Sequence, residues 1–488
     1  MWRFFRYVNE FLTFGSIFWI FCSESMLYLF FRDWSSYIRR LSTNLSRVNI
    51  LYVKMFQAIA SNNSLIDEKT NNELLKFTDN APWCYDDVNF YDLIELENEY
   101  DLYFKDGYEK PINSGMISVV FKAYQRVDDL PVVIKIKKRN IAYKLDVAIE
   151  NLKSLMYFLS FIPIIHKYQI AEVVNKNIEI IREQTNFRKE VENILKVKKN
   201  CENLKYVKIP EVYPKVTEEH PNCIIMEFID GLKMNELKEE DFVGFSKQVL
   251  KFGLVSTIVH GVSHGDLHSG NILFIKDEND EKYPHKIGVI DFGIIFEIDN
   301  TYKETLFELF TQVFERPPRE TITQLLNSVI IAEPEIINKI PPKEYNKIID
   351  IGAELFTSAM NDVKNANQIQ LYRFMATIKE YLNKKELSNL GIRPSDNYVK
   401  SQLVMAMAHG VTLTLCKDKF VTLMDEVLNE LFHTNILLDE DADADEDVDV
   451  LDGDVDVLDE DVDVVEYVDV VVDAVVLDGD VDAVVLDE

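Results

Sequence analysis

His264-Gly-Asp-Leu-His-Ser-Gly-Asn271, followed by Asp291-Phe-Gly293, is the stretch on which the reading of this chain turns. It places three oxygen-bearing side chains, Asp266, Asn271 and Asp291, in an order and spacing that suit phosphoryl transfer. That chemistry needs one carboxylate to orient and deprotonate an acceptor. It also needs an amide oxygen and a second carboxylate to hold Mg²⁺, a hard cation that prefers oxygen ligands. Asp266 takes the catalytic role in this reading, and Asn271 and Asp291 hold the metal. Residues 272–275 and 287–290 are short apolar runs joined by a polar turn containing Pro284. Their pattern predicts a hairpin that sets Asn271 and Asp291 side by side.

Working upstream, the residues Ile112, Asn113, Ser114, Gly115, Met116, Ile117, Ser118, Val119 and Val120 stand where a phosphate-covering loop belongs, just before a β-rich run. Gly115 is the single glycine left of the usual three, and an ordinary β-turn would read the same way. Runs 119–124 and 130–136, split by Asp128-Asp129, predict a second hairpin. Lys135 lies fifteen residues after Val120, where a kinase-type lysine grips the α- and β-phosphates of ATP. Such a lysine needs a carboxylate to orient it, and Glu190 is the candidate; a solvated helix-face glutamate is the competing reading. Residues 226–231, with Glu227, would form a hinge whose backbone groups bind adenine. His264 and His268 flank the acid–base aspartate and read as hydrogen-bonding supports, with a phosphate contact as the alternative for His268.

The chain has 488 residues and a formal charge of −31, from 83 acids and 52 bases. Residues 439–488 hold 23 of the acids and no Lys or Arg, so 83 less 23 leaves 60 acids against 52 bases elsewhere. Nothing in that balance argues for a nucleic-acid partner. The tail repeats Leu-Asp-Gly-Asp-Val-Asp from Leu451 and Leu477. It lacks the twelve-residue calcium-loop register, and like charges at this density favour a solvated, disordered tail. Five dispersed cysteines without a CxxC pair suit a reducing, intracellular compartment. Residues 11–31 are apolar apart from Glu24 and are long enough to cross a bilayer, which takes about 20 residues. A central acid costs ~2.5 kcal/mol or more there. The leader therefore reads either as membrane-associated or as a helix packed on the protein, and it lacks a small-x-small cleavage signature.

The expected architecture is α+β: a bilobal protein-kinase-like fold with a small β-rich N-lobe and a mainly helical C-lobe. It carries an N-terminal helical extension and a disordered acidic tail. The segments are a hydrophobic leader (1–45), a helical extension (46–105), the N-lobe (106–231), the C-lobe (232–437) and the tail (438–488). One long helical stretch is expected over about 143–199.

Taken together, these residues resemble the UbiB or aarF-domain-containing atypical kinases, a family associated with coenzyme Q synthesis. Residues 111–123 line up without gaps on that family's alanine-rich loop, PIAAASIGQVHRA, and Val132-Val-Ile-Lys135 on its lysine strand. Gln184-Thr-Asn-Phe-Arg-Lys-Glu190 resembles ELDFxxEA, and the opening stretch resembles HGDxHPGN with its metal-binding triplet. Lys54-Met-Phe-Gln57 resembles the family's KxGQ, ahead of Asp79-Asn-Ala-Pro82. The resemblance implies that Lys135 and Glu190 orient phosphates, and that Lys54 and Gln57 form a lid over the active site facing Gln184 and Asn186. It implies Mg-ATP as ligand and an ATP-dependent phosphotransferase or ATPase, including serine/threonine kinase activity or a lipid-linked role at a membrane. Gln184 and Asn186 replace both acids of the family's ExD pattern and Phe56 its KxGQ glycine, which removes two charges from the lid. A pseudokinase scaffold and a small-molecule phosphotransferase of the aminoglycoside or choline kinase type are the alternatives. The protein substrate and other acceptors are left open.

Overall fold

The computed structural model describes residues 2–48, 83–105, 107–108, 110–159, 182–312, 316–331, 333–361, 381 and 395–432. Lys54, Gln57, residues 79–82 and the acidic tail lie outside the described residues, so the lid and tail expectations are not addressed by it.

The leader is a helix, α1 (Trp2–Phe31), which turns at Arg32 (φ 51°) into α2 (Trp34–Val48). The two form a hairpin. Glu24, the acid that would be costly in a bilayer, is buried between them and accepts from Arg40 Nε at 2.7 Å and Asn44 Nδ2 at 3.0 Å. After α3 (Phe90–Glu99) come β1 (Leu102–Tyr103), β2 (Asn113–Ser114), β3 (Ser118–Gln125) and β4 (Pro131–Lys137). Next are α4 (Ile141–Leu159), α5 (Phe187–Asn200), β5 (Val207–Lys208), α6 (Pro214–Glu219) and β6 (Cys223–Glu227).

Strands β1, β3, β4 and β6 form an antiparallel sheet in that order, and β2 also pairs with β3. Strand period two sends alternate residues to opposite faces. Val119, Phe121, Ala123, Val132, Ile134 and Ile136 fill one core with Leu93 and Leu96 of α3. The intervening positions, Lys135 among them, face the second core, built from α4, α5 and the helical part of the chain. The expected hairpin at 119–136 is therefore present, with Val120 opposite Lys135.

The helical stretch expected over 143–199 holds two helices among the described residues, with 160–181 outside them. α4 ends at Leu159, and α5 is a separate helix started by Asn186, whose side chain accepts from Lys189 N. Asparagine is a strong N-cap because its oxygen satisfies an orphan amide of the first turn. That local preference starts α5 as a helix of its own.

The helical part opens with α7 (Phe242–Leu254), which runs on through a π-helical turn, Val255–His260. Gly261 (φ +69°) ends it and feeds β7 (Val262–His264). Then follow β8 (Ile272–Lys276), β9 (His285–Val289) and β10 (Ile295–Glu297). Beyond them lie α8 (Asn300–Gln312), α9 (Pro318–Leu325), α10 (Pro342–Asn361), α11 (Asp396–Cys416) and α12 (Phe420–Phe432). α7 is the core of this part. Phe245, Val249 and Phe252 meet Phe274, Ile287 and Val289 of the β8–β9 hairpin, and α11 crosses α7 closely at Gly253 and Ala408. Truncating a phenylalanine as buried as Phe245 to alanine costs about 3–5 kcal/mol in such cores.

Candidate functional site

β8 and β9 pair antiparallel, with Ile272 opposite Val289. Asn271 immediately precedes the first strand and Asp291 closely follows the second, so the hairpin brings the two together as its sequence predicts. The junction is sealed by Ile290 N donating to Asn271 O at 3.0 Å. Asn271 is buried and its Nδ2 donates to Asp266 O at 2.9 Å, which leaves the amide oxygen as its ligand atom. Gly265 lets β7 approach Ile294 closely; a Cβ there would stand 2.5 Å from Ile294 Cγ2.

His264 is buried and neutral in character: burial lowers its pKa, although Asp266 and Asp291 pull the other way. Its Nδ1 accepts from Asp266 N at 3.1 Å, which leaves the proton on Nε2 to donate to Ile290 O at 3.2 Å. The imidazole thus ties the Asp266 loop to the strand that leads to Asp291. It is the supporting hydrogen-bonder that the sequence suggested. His268 caps the short 3₁₀ turn Ser269–Asn271 by accepting from Gly270 N at 3.0 Å, and its Nε2 lies 3.8 Å from Asp266 Oδ2.

Lys135 is buried between two acids. Its Nζ lies 2.6 Å from Glu190 Oε1 and 3.1 Å from Asp291 Oδ1. Burial works against the ammonium, but the carboxylates of Asp291 and Glu190 outweigh it and hold the lysine charged above its ordinary range. Burial raises the Glu190 carboxyl, with Lys135 opposing. Asp291 sits at the solvent edge, its side chain half exposed. Its backbone is in the left-handed region (φ 62°), which costs a non-glycine residue roughly 1–2 kcal/mol and must be enforced by the surroundings.

Of the loop residues, Ile112 N donates to Val120 O at 2.8 Å, and Asn113 and Ser114 pair with Val120 and Val119. Gly115 N turns back to Ser118 O at 2.9 Å. Met116 and Ile117 are buried in the core shared with α4 and α5, so the loop tip is packed and apolar rather than an open glycine flap. Glu227, in the expected hinge, has its side chain occupied away from that role. Its side chain is held by Lys208 at 2.6 Å and by Glu211 N at 3.3 Å, so any contact it makes with adenine runs through its backbone. Gln184 lies against Gly293, while Asn186 is spent on capping α5. Sequence reasoning missed Asn193, one turn after Glu190 on the same helix, which is buried and donates to Phe292 O at 2.8 Å.

Chemically, Lys135, Glu190, Asp291, Asn271 and Asp266 form one connected constellation at the junction of sheet and helical part. Among the described residues no cluster of three or more His, Cys, Asp or Glu side chains is placed to hold a metal unaided. Asn271 and Asp291 fit a Mg²⁺ that completes its shell with phosphate oxygens and water, the usual arrangement for this cation.

The sequence pattern of the ABC1 atypical kinase-like domain matches residues 79–325, just over half of the chain. A protein named activity of bc1 complex kinase 8, chloroplastic, from Arabidopsis thaliana is 22% identical over 302 residues, covering 60% of this chain and 38% of its own length. A probable protein kinase UbiB from Shewanella woodyi is 27% identical over 285 residues, covering 57% and 51%. A probable serine/threonine-protein kinase, abkB, from Dictyostelium discoideum is 25% identical over 264 residues, covering 52% and 38%. The chain spans about half or less of the length of these relatives. Among solved structures, the complex of Rv3197 with erythromycin from Mycobacterium tuberculosis aligns with a TM-score of 0.43 at 14% identity, over 76% of this chain and 90% of that one.

Proposed function

Because the chain belongs to the ABC1 atypical kinase-like family, we propose that it is an ATP-dependent phosphotransferase or ATPase that binds ATP between a sheet-bearing lobe and a helical lobe. The observation that carries this reading is the sharing of Lys135 between Glu190 and Asp291. Two acids on one lysine leave the cleft with surplus negative charge, the setting in which a divalent cation is held rather than repelled. Lys135 would meet the α- and β-phosphates. Asn271 and Asp291 would hold Mg²⁺, which when bound supplies positive charge against the triphosphate. Asp266, fixed through its backbone by His264 and Asn271, would align an acceptor hydroxyl or water and take its proton. The relatives' names support a serine or threonine hydroxyl as one acceptor class.

The test is ATP hydrolysis by the full chain beside Asp266→Asn. Turnover lost by about 10²-fold or more with nucleotide binding retained supports catalysis. Binding without turnover in both forms supports the scaffold reading, which the packed loop tip at Met116 and Ile117 favours. No Mg²⁺-dependent nucleotide binding at all overturns the proposal.

The partner reading of a membrane surface rests on α1. Trp19, Phe30 and Phe31 are 73%, 78% and 71% exposed, while Glu24, a buried acid of the helix, is paired with Arg40. Residues 1–48 also carry six arginines and three acids within a strongly acidic chain. Such a surface fits anionic lipid. Full-length chain that sediments with phosphatidylserine vesicles, and less so after Trp19→Ser, would support it; equal sedimentation by both forms would count against it.

A further inference from the structure

We propose that Asn193 is a positioning residue that sets where Asp291 presents its carboxylate; this rests on the phosphotransfer reading above. Asp291 holds a left-handed backbone, a conformation that aspartate tolerates better than most side chains but that neighbouring contacts must still select. Both flanking carbonyls are gripped by buried side chains. His264 Nε2 reaches Ile290 O on one side at 3.2 Å, and Asn193 Nδ2 reaches Phe292 O on the other at 2.8 Å. Phe292 is itself fully buried, with its ring edge-on to His264 at 5.1 Å. The two clamps come from different parts of the chain: the catalytic loop supplies one and α5 the other.

Glu190 and Asn193 are three residues apart and so share one face of α5. From that face Glu190 grips Lys135, which reaches the Asp291 side chain, while Asn193 grips the Asp291 backbone through the next residue. α5 therefore meets the triplet directly at Phe292 through Asn193 and indirectly at Asp291 through Lys135, while Gln184, in the segment leading into the helix, lies against Gly293. A shift of this helix would move the lysine and the metal carboxylate together, and Asn193 is the link that makes the backbone follow.

The test uses the full chain with Asn193→Leu, which keeps volume but removes the donor, and with Asn193→Ala as a second variant. Two readouts are taken beside a thermal melt: amide hydrogen exchange over 290–293, and the Mg²⁺ concentration that half-saturates binding of a fluorescent ATP analogue. Exchange over 290–293 should rise, and the Mg²⁺ requirement should rise about tenfold, as for residues that orient metal ligands, while metal-free nucleotide affinity stays within about twofold. Unchanged exchange at 290–293 overturns the proposal, as does an equal loss of metal-free and Mg²⁺-dependent affinity, which a merely destabilised fold would give. If the unaltered chain binds no nucleotide, the phosphotransfer reading falls, while the exchange measurement still decides whether Asn193 holds the triplet.

Discussion

Glu24 and Glu190 are both buried glutamates paired with a cation, and the way each pair is finished separates scaffolding from chemistry. In the N-terminal hairpin, each oxygen of Glu24 has its own donor, Arg40 Nε for one and Asn44 Nδ2 for the other. The pair is closed in charge, one negative and one positive, with both carboxylate oxygens met, while Arg40 Nη2 is buried without a hydrogen-bond partner among the described residues. Between α5 and the interior strand β4, Glu190 meets Lys135 through Oε1 alone. The Phe292 amide approaches the carboxylate, but Oε2 makes no hydrogen bond of good geometry. Lys135 must also serve Asp291, which is half exposed. This pair is open, with more acid than base and an edge facing solvent. A closed pair offsets the desolvation of its members locally. An open pair keeps an unmet demand for positive charge, which a metal–nucleotide complex would satisfy.

The sharpest break of this contrast is loss of the cation from each pair. Lys135→Met should lower ATP turnover by about 10²-fold or more, the scale seen when a charge-stabilising donor is removed. Arg40→Met should leave turnover unchanged within about twofold, because Arg40 belongs to the hairpin rather than the site. A steady-state ATPase assay on both variants decides it, and comparable losses from the two would erase the distinction drawn here.

Stability offers the next test. Removing one partner of a buried pair strands the other and costs about 3–5 kcal/mol, whereas replacing both with apolar residues is often neutral. Arg40→Met alone should therefore lower the unfolding free energy by up to about 3 kcal/mol, since Arg40 is partly exposed, and Glu24→Leu added to it should restore most of that. The matching double change, Glu190→Leu with Lys135→Met, should recover stability without recovering turnover. Denaturant melts read beside the ATPase assay check both halves.

A third kind of burial bounds the comparison: titratable groups with no pair. His409 is half-buried in α11 against the Phe420 ring, and its Nε2 is enclosed with no hydrogen-bond partner among the described residues. Burial lowers its pKa to about 4. The folded value lies below the unfolded one, so the unfolded chain takes up a proton that the folded chain refuses. Its contribution is present above pH ~6.5 and is lost as pH falls from there towards 4, by roughly 3 kcal/mol in all. His260, lowered to about 4 by burial, and His264 act in the same direction. His409→Leu should flatten the acid limb of a stability–pH curve measured between pH 4 and 8. An unchanged slope would show that the group is not buried neutral.

How much of this was legible in the sequence follows from the distance over which each feature is specified. The β8–β9 hairpin and the placement of Asn271 and Asp291 depend on a short turn between apolar runs, so spacing alone located them. Lys135 was placed by its interval from Val120 across one strand pairing. Asn193 escaped because its partner lies 99 residues away and nothing local distinguishes it from a surface asparagine. The partners of Glu24 escaped for a similar reason, lying on the next helix across a turn that no Gly or Pro marks. The start of α5 carries a local signal, Asn186 as an N-cap, within the stretch that sequence marks as helical.

The smallest effect concerns Glu227, whose side chain the hinge reading does not need, since that reading meets adenine through the backbone. The side chain is engaged with Lys208 on the side where the chain turns from β5, and that pair is partly exposed to solvent. Ion pairs of this kind contribute about 0–1 kcal/mol because water screens them and two long side chains must be ordered. Its backbone N–H donates to Glu211 O at 2.7 Å and would do so with any side chain. Glu227→Ala should therefore change nucleotide affinity by less than about twofold and stability by less than about 1 kcal/mol. Fluorescent-nucleotide titration and a thermal melt check this. A tenfold loss of affinity would mean that the side chain leaves Lys208 to join the site, and a third open acid would have to be added beside Glu190 and Asp291.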